Sequence, residues 1–132
     1  MQKQILIVED HKVLRNSLRD WLKGVFPQCD FSEAASGETA IEICRTITPD
    51  LILMDISLPR LNGIGTVKHI LSLVPKAKVI MLTIHEEEAY RIEAMSAGAS
   101  AYVTKSVMKT ELIPTIRRLF AASGRKESKG ME

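Results

Sequence analysis

Three carboxylates, a hydroxyl and an amine stand at the ends of short apolar runs in this chain. Glu9 and Asp10 follow Ile5 to Val8, Asp55 follows Leu51 to Met54, Thr83 follows Val79 to Leu82, and Thr104 and Lys105 follow Ala101 to Val103. Acids gathered at one rim repel each other and raise one another's pKa values. A divalent cation relieves that repulsion. Oxygen ligands with room for water and a phosphate suit Mg2+, which takes one or two carboxylates from a protein; Mn2+ is the alternative. Lysine and hydroxyl supply the complementary half, a cation and a donor placed to receive an anion such as a phosphoryl group. An aspartate in that setting is a nucleophile able to form an acyl phosphate. Asp55, at the end of the central run, is the candidate, and the adjacent Glu9 and Asp10 read as a metal-holding pair.

The elements that must position these groups are legible in the same pattern. The four runs, with a fifth candidate strand around Asp30 to Ala35, are too short for helices, and their continuous apolarity is that of parallel strands covered on both faces. Between them lie helical stripes: Leu14, Leu18, Trp21, Leu22 and Val25; Ile41, Cys44 and Ile47; Ile64, Val67, Leu71 and Val74; and Leu112, Ile116, Leu119 and Phe120. Ser36 reads as a helix cap, and Pro49 and Pro75 as stops. From Glu86 to Ala97 the stripe is thin, carried by Ala89, Ile92, Met95 and the small alanines, so this helix is expected to be the least firmly held. Its three glutamates suit the positive end of a helix dipole. Five strand-helix units pack as a doubly wound α/β sheet with helices on both faces, and such sheets bind ligands outside the carboxyl ends of their strands. All the polar groups named above lie there.

At 132 residues the chain fits one domain. Hydrophobic residues make up 45% of it, which argues against disorder, yet no apolar run is long enough to span a bilayer. The N-terminus MQKQILIVED is unlike a secretory signal, so a cytoplasmic protein without a membrane partner is expected. A net charge of +2 favours no particular partner. Cys29 and Cys44 lack the spacing of a metal knuckle or redox pair and read as buried thiols, while His11, His69 and His85 are scattered. Residues 1–122 form the expected domain, and SGRKESKGME, residues 123–132, reads as a polar tail or linker.

Four motifs, "ILIVEDH", "LILMDISLPRLNGIG", "VIMLT" and "AGASAYVTKS", resemble in order and separation the receiver domain of a two-component response regulator, and the likeness runs from Gln4 to about Ala122. "DHKVLRNSLRDWL" and "AGASAYVTKS" further resemble the NarL/FixJ subfamily. The resemblance implies a flavodoxin-like sheet of strand order 2-1-3-4-5. It implies that Asp55 accepts a phosphoryl group from the phosphohistidine of a sensor histidine kinase. Glu9, Asp10, Asp55 and the backbone carbonyl of Ser57 would bind Mg2+, Thr83 and Lys105 would contact the phosphoryl oxygens, and Tyr102 would change rotamer on activation. Pro59 and Gly63 match positions that shape the loop after Asp55. The implied output is a switch of the fourth-helix, fifth-strand and fifth-helix face, with homodimerisation on phosphorylation. DNA would be bound only through a helix-turn-helix domain absent from these residues.

Two positions depart from the commoner pattern. Ile84 follows Thr83 where a small residue is frequent, which would narrow access to Asp55, and Ser106 follows Lys105 where proline is usual, which argues against a cis peptide there. A phosphatase of the haloacid dehalogenase type would need a second aspartate where Ser57 stands, and a dinucleotide site would need glycines that DHKVLRN lacks. The remaining alternatives are an interaction module that kept the fold without phosphorylation and a stand-alone receiver without a DNA-binding output.

Overall fold

Each apolar run becomes a strand, and each helical stripe turns onto one face or the other of the sheet they build. The computed structural model of the chain describes the backbone of residues 2–131 and the side chains of residues 2–122. The strands are β1 (Gln4–Val8), β2 (Asp30–Ala34), β3 (Leu51–Met54), β4 (Lys78–Thr83) and β5 (Ala101–Thr104). The helices are α1 (Lys12–Val25), α2 (Gly37–Thr46), α3 (Gly63–Leu73), α4 (Glu88–Ser96) and α5 (Met108–Met131), the last preceded by a 3-10 turn at Lys105–Val107. All pairings are parallel and the order is β2-β1-β3-β4-β5, the flavodoxin-like arrangement expected. The expectation of a polar tail falls on side chains outside the described residues.

Successive strand residues point to opposite faces, which is why the runs are apolar throughout. Leu6, Val8, Ile52, Met54, Val79 and Met81 face one core with Ile41 and Cys44 of α2, Ile64, Val67 and Ile70 of α3, and Ala94 of α4. Ile5, Ile7, Leu51, Leu53, Ile80 and Leu82 face the other with Leu18 and Leu22 of α1 and Leu112 and Ile116 of α5. Ser36 caps α2 as its sequence suggests, its hydroxyl accepting the Thr39 N–H at 3.1 Å. Asn62 caps α3 in the same way through Gly65 N–H at 3.0 Å.

Helix α4 corrects one detail of the stripe. It starts at Glu88, with Glu87 at the cap position making no side-chain bond there. Ala94 is its fully buried residue, while Ile92 is 61% and Met95 42% exposed. Nine residues with interspersed alanines carry too weak a periodicity to determine which face docks. The helix is thinly packed, as expected, and rests on one of its small alanines rather than on Ile92 and Met95.

Both cysteines are free and buried. Burial pushes the Cys44 thiol up to about 11, so almost none is thiolate at neutral pH. Cys44 should therefore resist iodoacetamide in the native protein and react on unfolding, and peptide mapping of alkylated samples with and without denaturant checks this. Among the described residues no helix is long and apolar enough to cross a membrane.

Candidate functional site

Strand register brings the acids together. Val8 of β1 is level with Met54 of β3, so Glu9 and Asp55 leave the sheet side by side, and the Asp55 N–H still donates to the Val8 carbonyl at 3.2 Å. On the far strands Thr83 is level with Thr104, which places Lys105 one residue past the sheet edge. Lys105 Nζ lies 2.8 Å from Glu9 Oε1 and 3.5 Å from Asp55 Oδ2. Glu9, Asp10 and Asp55 each offer a carboxylate oxygen within 4.8 Å of the others. Glu9 and Asp55 are only 3% and 5% exposed, while Asp10 is open to solvent.

The remaining oxygens are held by backbone. Glu9 Oε2 accepts the His11 N–H at 3.1 Å, and Asp55 Oδ1 accepts the Ser57 N–H at 3.1 Å. The loop from Ile56 to Asn62 doubles back tightly, with the Gly63 N–H donating to the Ile56 carbonyl at 3.0 Å. Within it Arg60, after Pro59, has a φ of 61°, a region side chains other than glycine seldom enter. Its guanidinium lies 3.6 Å from Glu38 of α2.

Burial pushes the Glu9 carboxyl above its usual 4.5, and the charge of Asp55 adds to this, against the pull of the Lys105 and His11 hydrogen bonds. For Lys105, burial works downward but is outweighed by the Glu9 bond and the two negative charges, so the amine ends above its usual 10.5. The pair thus favours the lysine's charge while leaving the glutamate's at a loss, because the Glu9 side chain is the deeper of the two, at 4% exposure against 17%. A carboxyl whose pKa rises on folding contributes stability that is fully present below its unfolded value and is lost as pH climbs through the folded one. Glu9→Gln, locked in the neutral form, should therefore melt above wild type at neutral pH without divalent cation. The gap should close as pH falls below 4.5. Thermal unfolding followed by circular dichroism across that range checks it.

The donor set fits Mg2+: it is all oxygen, it carries more negative charge than one lysine balances, and Asp10 leaves one side open to water. Ser57, whose carbonyl the resemblance assigns to this ion, lies in the loop that follows Asp55. Its hydroxyl, which the sequence leaves without a task, lies 2.6 Å from His85 Nε2. Thr83 is fully buried, and its Oγ1 accepts the His85 N–H at 3.3 Å. Tyr102 is buried too, its hydroxyl donating to the His85 carbonyl at 2.9 Å and its ring lying 5.1 Å from the Arg91 guanidinium. Ile84 stands 66% exposed beside them. Among the described residues no peptide is cis; Ser106 instead donates to Glu86 Oε2 at 2.9 Å.

His85 is what sequence reasoning missed. Its partners Ser57, Thr83, Tyr90 and Tyr102 come from different elements, and a lone histidine in a loop carries no periodic or spacing signal.

A family model described as the response regulator receiver domain matches residues 5–117, a span that holds Glu9, Asp10, Asp55, Thr83 and Lys105. The chain is a response regulator receiver domain. This receiver is 33% identical over 117 residues to "Response regulator UvrY" of Escherichia coli, covering 89% of the chain and 54% of that protein. It is 30% identical over 118 residues to "Response regulator GacA" of Pseudomonas aeruginosa, covering 89% and 55%. The receiver therefore spans about half the length of these relatives. Among solved structures, a two-component response regulator of the LuxR family from an Aurantimonas species superposes with a TM-score of 0.86 at 33% identity, over 92% of this chain and 87% of that one. A CheY-like receiver domain protein from Methanospirillum hungatei gives 0.87 at 26% identity, over 96% and 99%. The receiver belongs with NarL/FixJ-like relatives, its Glu9, Asp10 and Asp55 cluster is typical of the Mg2+ site of such domains, and it is a signalling phospho-acceptor module.

Proposed function

We propose that Asp55 accepts the phosphoryl group of a sensor histidine kinase's phosphohistidine. Glu9, Asp10, Asp55 and the Ser57 carbonyl hold Mg2+ or Mn2+. The observation that carries this reading is the buried Asp55 carboxylate within reach of one amine and of two further acids. Asp55 Oδ2 attacks phosphorus, the bond from phosphorus to the imidazole nitrogen breaks, and the nitrogen leaves with the electron pair. The ion, when bound, neutralises charge on the oxygens of the group in flight. Lys105 then exchanges part of its contact with Glu9 for the phosphoryl oxygens, and Thr83 turns its hydroxyl from the His85 N–H toward them.

Phosphorylation adds about two negative charges. Two hydrogen bonds to an ionised group, each worth about 1.5–3 kcal/mol, approach the roughly 5.5 kcal/mol needed to carry a two-state equilibrium from 1:99 to 99:1. Tyr102 stands in the buried orientation that such a switch assigns to the active state. The face of α4, β5 and α5 then engages a second copy of the chain. The output is transcription, through a DNA-binding helix-turn-helix domain outside these residues, as the greater length of the UvrY and GacA relatives supports.

Intact-mass measurement after incubation with Mg2+ and a small acyl phosphate tests the first step. Wild type should gain one phosphoryl group, and chelation of the metal with EDTA should prevent the gain. No gain, even with a cognate kinase supplied, would mean an interaction module that does not use this chemistry.

A further inference from the structure

Four parts of the molecule meet at His85. Its Nε2 lies 2.6 Å from the Ser57 hydroxyl on the loop after β3. Its N–H donates to Thr83 at the end of β4, and its carbonyl accepts from Tyr102 of β5. Its ring stacks on Tyr90 in the first turn of α4, with centroids 4.3 Å apart and planes at 23°. The two backbone bonds would form with any residue here. The two ring contacts need an imidazole: one edge must offer a hydrogen-bonding nitrogen while the face stays flat enough to stack.

We propose that His85 is a positioning residue whose side chain ties the Asp55 loop, through Ser57, to the first turn of α4, through Tyr90. This rests on the proposed ion and phosphoryl site. Ser57 holds Asp55 Oδ1 by its N–H and offers its carbonyl to the ion, so any reorientation of that peptide moves the Ser57 side chain. The imidazole must follow or lose its bond, and a ring that follows pushes on Tyr90. Helix α4 is the element able to yield. It buries Ala94 alone, lacks a side-chain cap and leaves Ile92 in solvent, whereas the strands on either side of the site are packed on both faces. Change at the acid site therefore reaches α4 through a side-chain link, in parallel with the movement of Thr83.

The test measures ligand binding and helix response separately on the 132-residue chain. Calorimetry reports Mg2+ binding and, with Mg2+ present, binding of beryllofluoride as the phosphoryl probe. Amide exchange reports on residues 88–96. In wild type, adding both ligands should change exchange across α4 by at least about fivefold, the lower end of ordinary coupling between sites. His85→Ala should bind both ligands yet lose most of that change. Ser57→Ala, which cuts the same bond from the other side, should lose the same change in α4 exchange, and the double variant should lose no more of it than either. Ser57→Thr, which keeps a hydroxyl, should retain the response. If His85→Ala responds as wild type does, or if Ser57→Ala does so where His85→Ala fails to fold, the inference falls. Wild type that binds both ligands with α4 unmoved overturns it alone; wild type that binds neither removes the reading of the acid site as well.

Discussion

Asp55→Asn should leave the receiver folded and end its phosphorylation. Asparagine keeps the size of the side chain and an oxygen for the Ser57 N–H, which now reaches Asp55 Oδ1 at 3.1 Å. It removes the negative oxygen that faces Lys105 at 3.5 Å, the proposed nucleophile. Neither neighbouring acid should take over. Glu9 has one oxygen on Lys105 and the other on a backbone N–H, and Asp10 lies at the exposed rim. The intact mass should stay unchanged under conditions that phosphorylate wild type. Stability should move the other way: the charge of Asp55 is one of the causes that raise the Glu9 pKa, so removing it lightens the cost of burying Glu9. Without divalent cation, the variant's thermal midpoint should equal or exceed that of wild type. Loss of phosphorylation with a large drop in midpoint would instead point to a damaged fold.

Gly63→Ala should have the opposite profile, with every chemical group retained and the site misplaced. A Cβ on Gly63 would sit 2.0 Å from the Asp55 carbonyl oxygen and 2.8 Å from the Asp55 carbonyl carbon and the Ile56 Cα. All three atoms are backbone, so no flexible side chain can swing aside. Either the start of α3 lifts or the Asp55 peptide moves, and both shift the Asp55 carboxylate relative to Glu9 and Lys105. Overpacking of this kind costs about 1–3 kcal/mol and occasionally more. For a chain of this size that lowers the midpoint by roughly 5–10 °C. Phosphorylation should slow as well, since small misplacement of reacting groups is expensive in rate. Gly24→Ala is the control. Nothing lies within 4 Å of its Cβ position in α1, so helix propensity should raise stability by about 0.5–1 kcal/mol. Chemical denaturation of both variants, read beside the phosphorylation rate, separates a backbone clash from a general intolerance of glycine replacement. Gly63→Ala with wild-type stability and rate would mean that the loop after β3 is soft.

The acids and the lysine were legible because a strand buried on both faces has no polar residue until it ends. Glu9 and Asp55 each interrupt apolarity at that boundary, Lys105 follows Thr104 just past it, and the doubly wound topology carries all such boundaries to one edge. The strands were legible for the same reason. The docking face of α4 was legible only in part: the thin stripe drew on Ala89, Ile92, Met95 and the small alanines, and of these Ala94 is what the helix buries. A small residue permits close approach to the sheet, and Tyr90 finds the His85 ring, and neither preference is visible without the neighbouring surface. The cap at Asn62 and the left-handed Arg60 likewise follow from how the loop after β3 must close.

What the amino-acid order determined alone was therefore local and periodic: which segments are strands, which faces of the longer helices turn inward, and which chemistry stands at the strand ends. Tertiary structure decided distances and pairings. Lys105 reaches Glu9 across 96 residues of chain, and Ser57 meets His85 across 28. Such contacts depend on parallel register and loop closure, which are properties of the packed sheet and leave no repeating mark along the chain.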